Sequence, residues 1–245
     1  MGGLYSLPSP SGRGEKGAMP PRFLILETSH RLGQVAFAQG EIIVGARTLD
    51  ESRRHARDLA PAIHELLHAQ GWRARDLDGV IVSRGPGSYT GLRVGLMSAK
   101  TLAYATGCPL LAIDTFDAIY QQAPAECQIV DVTADAQQGN IYVQRFGSHS
   151  EPLTIVPFEK WLESALANQV AVTGPGLEIF ADRIRGMTVL PRETWQAMPL
   201  SLLKIGLARF LKGERDDPFA VEPLYLRASS AEEKWEKLHQ EPRTK

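Results

Sequence analysis

From residue 22 onward the chain alternates short apolar runs with longer stretches of helical period. Phe23–Glu27, FLILE, is a run of large apolar side chains ending on a carboxylate, which predicts a short apolar strand. Gln34–Gln39 and Glu41–Thr48 predict two more strands, with a hairpin turn at Gln39-Gly40. Between Arg54 and Gln70, Leu59, Ile63, Leu66 and Leu67 share one helical face, and Gly71 closes that helix. Gly79–Ser83 predicts a buried strand. A glycine-rich loop, SRGPGSYTG, follows it and opens a helix over Gly91–Ala105. Pro109–Ile113 predicts a strand and Thr115–Gln122 a helix.

The pattern then restarts. The segments FLILETSHRLGQVAFAQ and QIVDVTADAQQGNIYVQ both read as apolar strand, acidic or Thr-bearing end, polar turn and alternating strand. A helix (EKWLESALAN), a strand (VAVT) and a glycine turn (GPGLE) come next, and Pro199–Lys212 predicts a last helix. Strands mixed with helices in two similar halves predict two related α/β domains, residues 21–122 and 123–227. They are flanked by an extension, 1–20, and a charged tail, 228–245.

Composition narrows the class. The chain has 245 residues, 43% of them hydrophobic, enough to bury a sizeable core. A formal net charge of −1 argues against wholesale binding of nucleic acid through a basic field. Two cysteines, Cys108 and Cys127, make no disulfide framework, and a reducing cytoplasm is the expected location. No apolar run approaches the roughly 20 residues that span a bilayer. Residues 1–18 are rich in Gly, Ser and Pro and lack the apolar stretch of a signal peptide, so disorder is expected there. Met19 offers itself as an alternative translation start, and the tail 228–245 is expected to be solvated.

Two stretches suggest chemistry. His64-Glu65-Leu66-Leu67-His68 reads H-E-x-x-H, the helical signature of a zinc peptidase. A catalytic zinc needs a third protein ligand. Gly71 stands where one zincin class has its glycine, but the following ligand position is Ala74. The simpler reading is an ordinary amphipathic helix, and no metal site is assigned. The second stretch is the glycine loop. Gly85, Gly87, Ser88 and Thr90 lie where unpaired N–H groups of a helix start favour an anion. Their spacing fits neither the Walker loop nor the dinucleotide fingerprint, and Ser88 or Thr90 is expected to cap the helix. Beyond it Gly91, Gly95, Ala99, Ala103 and Gly107 recur every four residues, a stripe almost free of side chains. Such a stripe admits a closely packed neighbour. The chain's own Arg54–Gln70 helix is one expected neighbour; helices of a second protein, packing on this stripe or on the Leu92/Leu96 side next to it, are another, and the two are compatible.

The segment SRGPGSYTGLRVG resembles the hallmark segment of the TsaB (YeaZ) family. LILETS, HARDLAPAIHELL, PLLAIDTFDAI, VDVTADAQQGNIYVQRF, VTGPGL and VEPLYLR match further parts in order, so the resemblance spans roughly Arg22 to Arg227. It implies the actin-like, sugar-kinase and Hsp70 (ASKHA) fold in two similar α/β domains. It also implies a non-catalytic subunit in the formation of threonylcarbamoyladenosine at adenosine 37 of tRNA. The partners it implies are a TsaD-like catalytic subunit, a TsaE-like ATPase and a second copy of the chain, with tRNA met only through the complex. The docking helices map to 54–70 and 91–105, and the expected interface is Leu59, Ile63, Gly91, Leu92, Arg93, Gly95, Leu96, Ala99 and Ala103. No catalytic residue and no cofactor is assigned, an adenine nucleotide held weakly or at an interface being the alternative. Two departures stand out. The family's opening Asp-Thr is Glu27-Thr28 here, and the H-x-x-x-H metal pair of the catalytic relative is missing from GLRVGLMSAKTLAYA. The rival readings are a small-molecule kinase of the same fold and the H-E-x-x-H peptidase.

Overall fold

The structure, a computed structural model, describes residues 19–49 and 55–226, without the side chains of His55 and Ala56. The expectations for residues 1–18, for Arg54 and for the tail 228–245 fall outside the described residues.

Two five-stranded mixed sheets carry the fold. The first has the order β3-β2-β1-β4-β5, built from β1 (Arg22–Glu27), β2 (Gln34–Gln39), β3 (Ile42–Thr48), β4 (Gly79–Gly85) and β5 (Leu110–Asp114). β1 pairs antiparallel with β2 and parallel with β4. The second sheet has the order β10-β9-β6-β7-β8. Its strands are β6 (Val130–Asp135), β7 (Asn140–Phe146), β8 (Thr154–Pro157), β9 (Ala171–Thr173) and β10 (Thr188–Val189). β6 pairs antiparallel with β7 and parallel with β9. Read from β8, the second sheet repeats the first strand for strand. This duplication is the ASKHA fold, and it is the repeat that the two similar segments predict. The sequence pattern does not reveal β8 and β10: prolines flank or end the first, and the second is only two residues long, so neither has a readable period.

The helices are α1 (His55–Ala69), α2 (Tyr89–Thr106), α3 (Thr115–Tyr120), α4 (Phe158–Ala167), α5 (Leu177–Phe180) and α6 (Pro199–Leu211). Alternation along β1 divides the interior, because successive side chains of a strand point to opposite faces. Leu24 and Leu26 face a cluster with Leu59 and Ile63 of α1 and Leu96, Ala99 and Ala103 of α2. Phe23 and Ile25 face a second cluster, which holds Phe116 and Ile119 of α3, Leu202 of α6, and Val130 and Val132 of the second sheet. The two halves therefore share one core. α6 falls within residues 123–227, yet it packs on strands of the first sheet, where Gly206 meets Ile81 with no room for a Cβ. A division at residue 122 separates the strands but not the helices. No described helix is long and apolar enough to cross a membrane.

Candidate functional site

The glycine loop leaves β4 and enters α2 against the turn that ends β1. Gly85 has φ +116°, a conformation other residues rarely adopt, and its N–H donates to Thr115 Oγ1 at 3.2 Å. Ser88 N–H donates to Ser29 O at 2.7 Å, and Ser88 Oγ caps α2 by accepting from Gly91 N–H at 3.3 Å. All three N–H groups thus point at the chain's own oxygens. Thr90 is exposed and makes no cap.

The small-residue stripe has two neighbours: Ala99 and Ala103 share a buried cluster with Leu59 and Ile63 of α1, as one of the expected packings has it, whereas Gly91 and Gly95 meet the turn after β1. A Cβ on Gly91 would stand 2.0 Å from Thr28 O, and one on Gly95 would stand 2.0 Å from Thr28 Oγ1. The glycines admit the end of β1, not a helix. Ala99 and Ala103 continue inward onto the sheet. This corrects the expected interface. Gly91, Leu92, Gly95, Leu96, Ala99, Ala103, Leu59 and Ile63 are all buried in the chain's own fold and leave little surface for a partner. Of the nine residues only Arg93 is exposed. The outward side of α2 presents Arg93, Met97, Thr101 and Tyr104 instead, with Met97 58% and Tyr104 71% exposed.

Under the loop lies a buried polar group. Glu27 accepts from Ser29 N–H at 2.7 Å and from the Ser29 hydroxyl, while its second oxygen has no partner among the described residues. Burial pushes its carboxyl up to about 7, against the opposing pull of hydrogen bonds from Ser29 and Ser83. His30, next along the turn, lies 3.7 Å from Glu178 of α5, a contact between the two halves. Burial holds His30 below its ordinary value, with Glu178 pulling the other way.

Sequence reasoning missed the C-terminal strap, residues 216–226. Asp216 pairs with the free edge of β5: its N–H donates to Leu110 O at 2.8 Å, and its carboxylate accepts from Ala112 N–H at 2.7 Å and from Arg209 at 3.1 Å. The strap then crosses α2. Phe219 stands edge-on to Tyr104 at 5.6 Å, Lys100 Nζ donates to Val221 O at 3.0 Å, and Leu224 N–H donates to Arg84 O at 2.7 Å. Tyr225 stacks on Tyr89 at 4.6 Å, and its hydroxyl accepts from Arg93 Nε at 3.2 Å. The strap closes over the outer flank of α2, and its VEPLYLR sequence has no period that would announce this.

The H-E-x-x-H residues lie on the exposed side of α1, where Glu65 forms an ion pair with Arg47. Leu59 and Ile63 are buried on the inner side, as an ordinary amphipathic helix requires. Among the described residues no three His, Cys, Asp or Glu side chains gather as a metal cage.

The family described as "TsaD: tRNA N6-adenosine threonylcarbamoyltransferase" matches residues 49–212. The tRNA threonylcarbamoyladenosine biosynthesis protein TsaB of Bacillus subtilis is 24% identical over 230 residues, 86% of this chain and 96% of that protein. Its namesake from Escherichia coli is 25% identical over 199 residues, 76% of this chain and 85% of that protein. The solved structure of YeaZ from Pseudomonas aeruginosa superposes with a TM-score of 0.69 at 21% identity, covering 84% of this chain and all of that one. That likeness shows the fold.

Proposed function

The chain belongs to the threonylcarbamoyltransferase family, on its TsaB (YeaZ) branch, and from that premise we propose that it serves threonylcarbamoyladenosine formation on tRNA as a non-catalytic docking subunit. A TsaD-like catalytic subunit binds the outward side of α2 together with the exposed side of α1. The observation that carries this reading is the exposure of Met97 and Tyr104 on a helix whose inner side is already closed by Thr28. Large apolar side chains left in water on one face mark a contact surface. A TsaE-like ATPase joins the assembled pair, a second copy uses the same face when the partner is missing, and tRNA meets the complex rather than this subunit. No cofactor belongs to the chain by itself, and its place of work is the cytoplasm.

Co-purification with a tagged TsaD-like subunit tests the reading. The unsubstituted chain is expected to be retained. Met97→Glu combined with Tyr104→Lys is expected to weaken retention by roughly tenfold or more, as the loss of an interface hot spot does, while the monomer stays folded. Equal retention of both chains would place docking elsewhere. Formation of the modified nucleoside by this chain alone would remove the non-catalytic role.

A further inference from the structure

A cavity of about 180 Å³ opens between α4 and the strands β7 and β8 of the second sheet. None of its lining belongs to α1 or α2, so it stands apart from the docking reading. Its floor is an ion pair set across two strands. Asp131 of β6 and Arg145 of β7 stand opposite each other in the ladder. The Asp131 side chain is fully buried and accepts from Arg145 Nε at 2.8 Å, from Arg145 Nη2 at 2.9 Å and from Trp161 Nε1 at 2.9 Å. A buried carboxylate keeps its charge only when it is met in this way. The same bonds fix the plane of the guanidinium, because they take up Nε and one N–H of Nη2. The N–H groups of Nη1 and the second N–H of Nη2 have no acceptor among the described residues. They form the outer edge of a rigid fork, a geometry that matches a carboxylate.

The rest of the lining sets the size and charge of what can enter. Val143, Val156 and the Trp161 ring supply an apolar wall. Lys160 and Glu151 stand exposed at the rim and, with Arg145 and Asp131, are the charged groups of the lining. The positive and negative members cancel, so a multiply charged anion finds no net attraction there. The volume is well below the roughly 300 Å³ at which sites for drug-sized ligands begin. We propose that this cavity binds a small organic monocarboxylate with a short, branched hydrocarbon body. Its carboxylate takes the outer edge of Arg145 bidentately, and its hydrocarbon part lies against Val143, Val156 and Trp161. Asp131 is a positioning residue: it holds the guanidinium and touches no ligand.

Isobutyrate, with about six non-hydrogen atoms, is the probe, and a ligand of that size binds with a Kd on the order of millimolar. The indole N–H of Trp161, assigned by its loss in Trp161→Phe, reports on the site in two-dimensional NMR of the full-length chain. Sodium isobutyrate is expected to shift it along a saturating curve with a midpoint near millimolar. Sodium phosphate and sodium chloride at matched ionic strength are expected to give no saturation in that range. Arg145→Lys keeps a positive charge opposite Asp131 but loses the fork, and should weaken isobutyrate binding by roughly tenfold. Val156→Phe fills the space, leaves the ion pair intact and should abolish the saturating shift, which keeps the test decisive if Arg145→Lys does not fold. An isobutyrate shift that stays linear to about tenfold beyond the expected midpoint, or a midpoint unchanged in either variant, overturns the proposal. Phosphate saturating at a lower concentration than isobutyrate overturns the monocarboxylate assignment.

Discussion

A methyl group added at Gly95 has nowhere to go but into Thr28 Oγ1, 2.0 Å away. Gly95→Ala is therefore expected to cost about 1–3 kcal/mol through overpacking, although alanine is the better helix former. Thr28→Ala removes the obstructing hydroxyl, so the double variant should recover part of the loss in urea unfolding. At Gly91 the obstacle is a backbone oxygen, and the same rescue should fail. Glu27 makes a prediction of another kind. Unfolded, it titrates near its ordinary 4.5; folded, near about 7. The folded chain binds more protons between those values, so stability falls as pH rises through that window. The full effect is about 3 kcal/mol. Glu27→Gln has no proton to lose and should flatten the dependence. Urea midpoints measured near pH 5 and near pH 8 check this, and equal slopes for the two chains would contradict the assignment.

The strap owes its place to contacts remote in sequence. Asp216 satisfies Ala112 N–H on the edge of β5 and also holds Arg209. Asp216→Ala leaves both without that acceptor and is expected to cost about 1–3 kcal/mol, with faster amide exchange at Ala112. No pattern in residues 216–226 reports this, because Pro218 and Pro223 interrupt any period and the partners, Leu110, Ala112 and Arg84, lie far upstream. β1, α1 and α2 were legible for the opposite reason: each has a dense apolar pattern bounded by a turn or a glycine. The stripe on α2 was legible only in part. Its spacing tells that something approaches closely, and the neighbour is known only once β1 ends beside it. The outward face could have been read from the same helix, since Met97 and Tyr104 are what remains when the small residues turn inward.

The duplicated topology suggests two bodies, but the interior argues for one. Phe23, Ile25 and Ile81 of the first sheet and Val130 and Val132 of the second belong to a single buried cluster, with α3 and α6 between the sheets. α6 follows the last strand of the second sheet and packs on the first, so neither half keeps its full set of helices if the other unfolds. Such a shared core couples the halves, and unfolding is expected in one transition. Ile119 is fully buried at this junction, and Ile119→Ala should lower the stability of the whole chain by about 2–5 kcal/mol. Trp72 reports on the first half, and Trp161 and Trp195 on the second. Single-tryptophan chains retaining Trp72 or Trp161 should give coincident urea midpoints, shifted together by Ile119→Ala. Two separate midpoints, with only one of them moved, would mean that the halves are joined by contact without being coupled in folding.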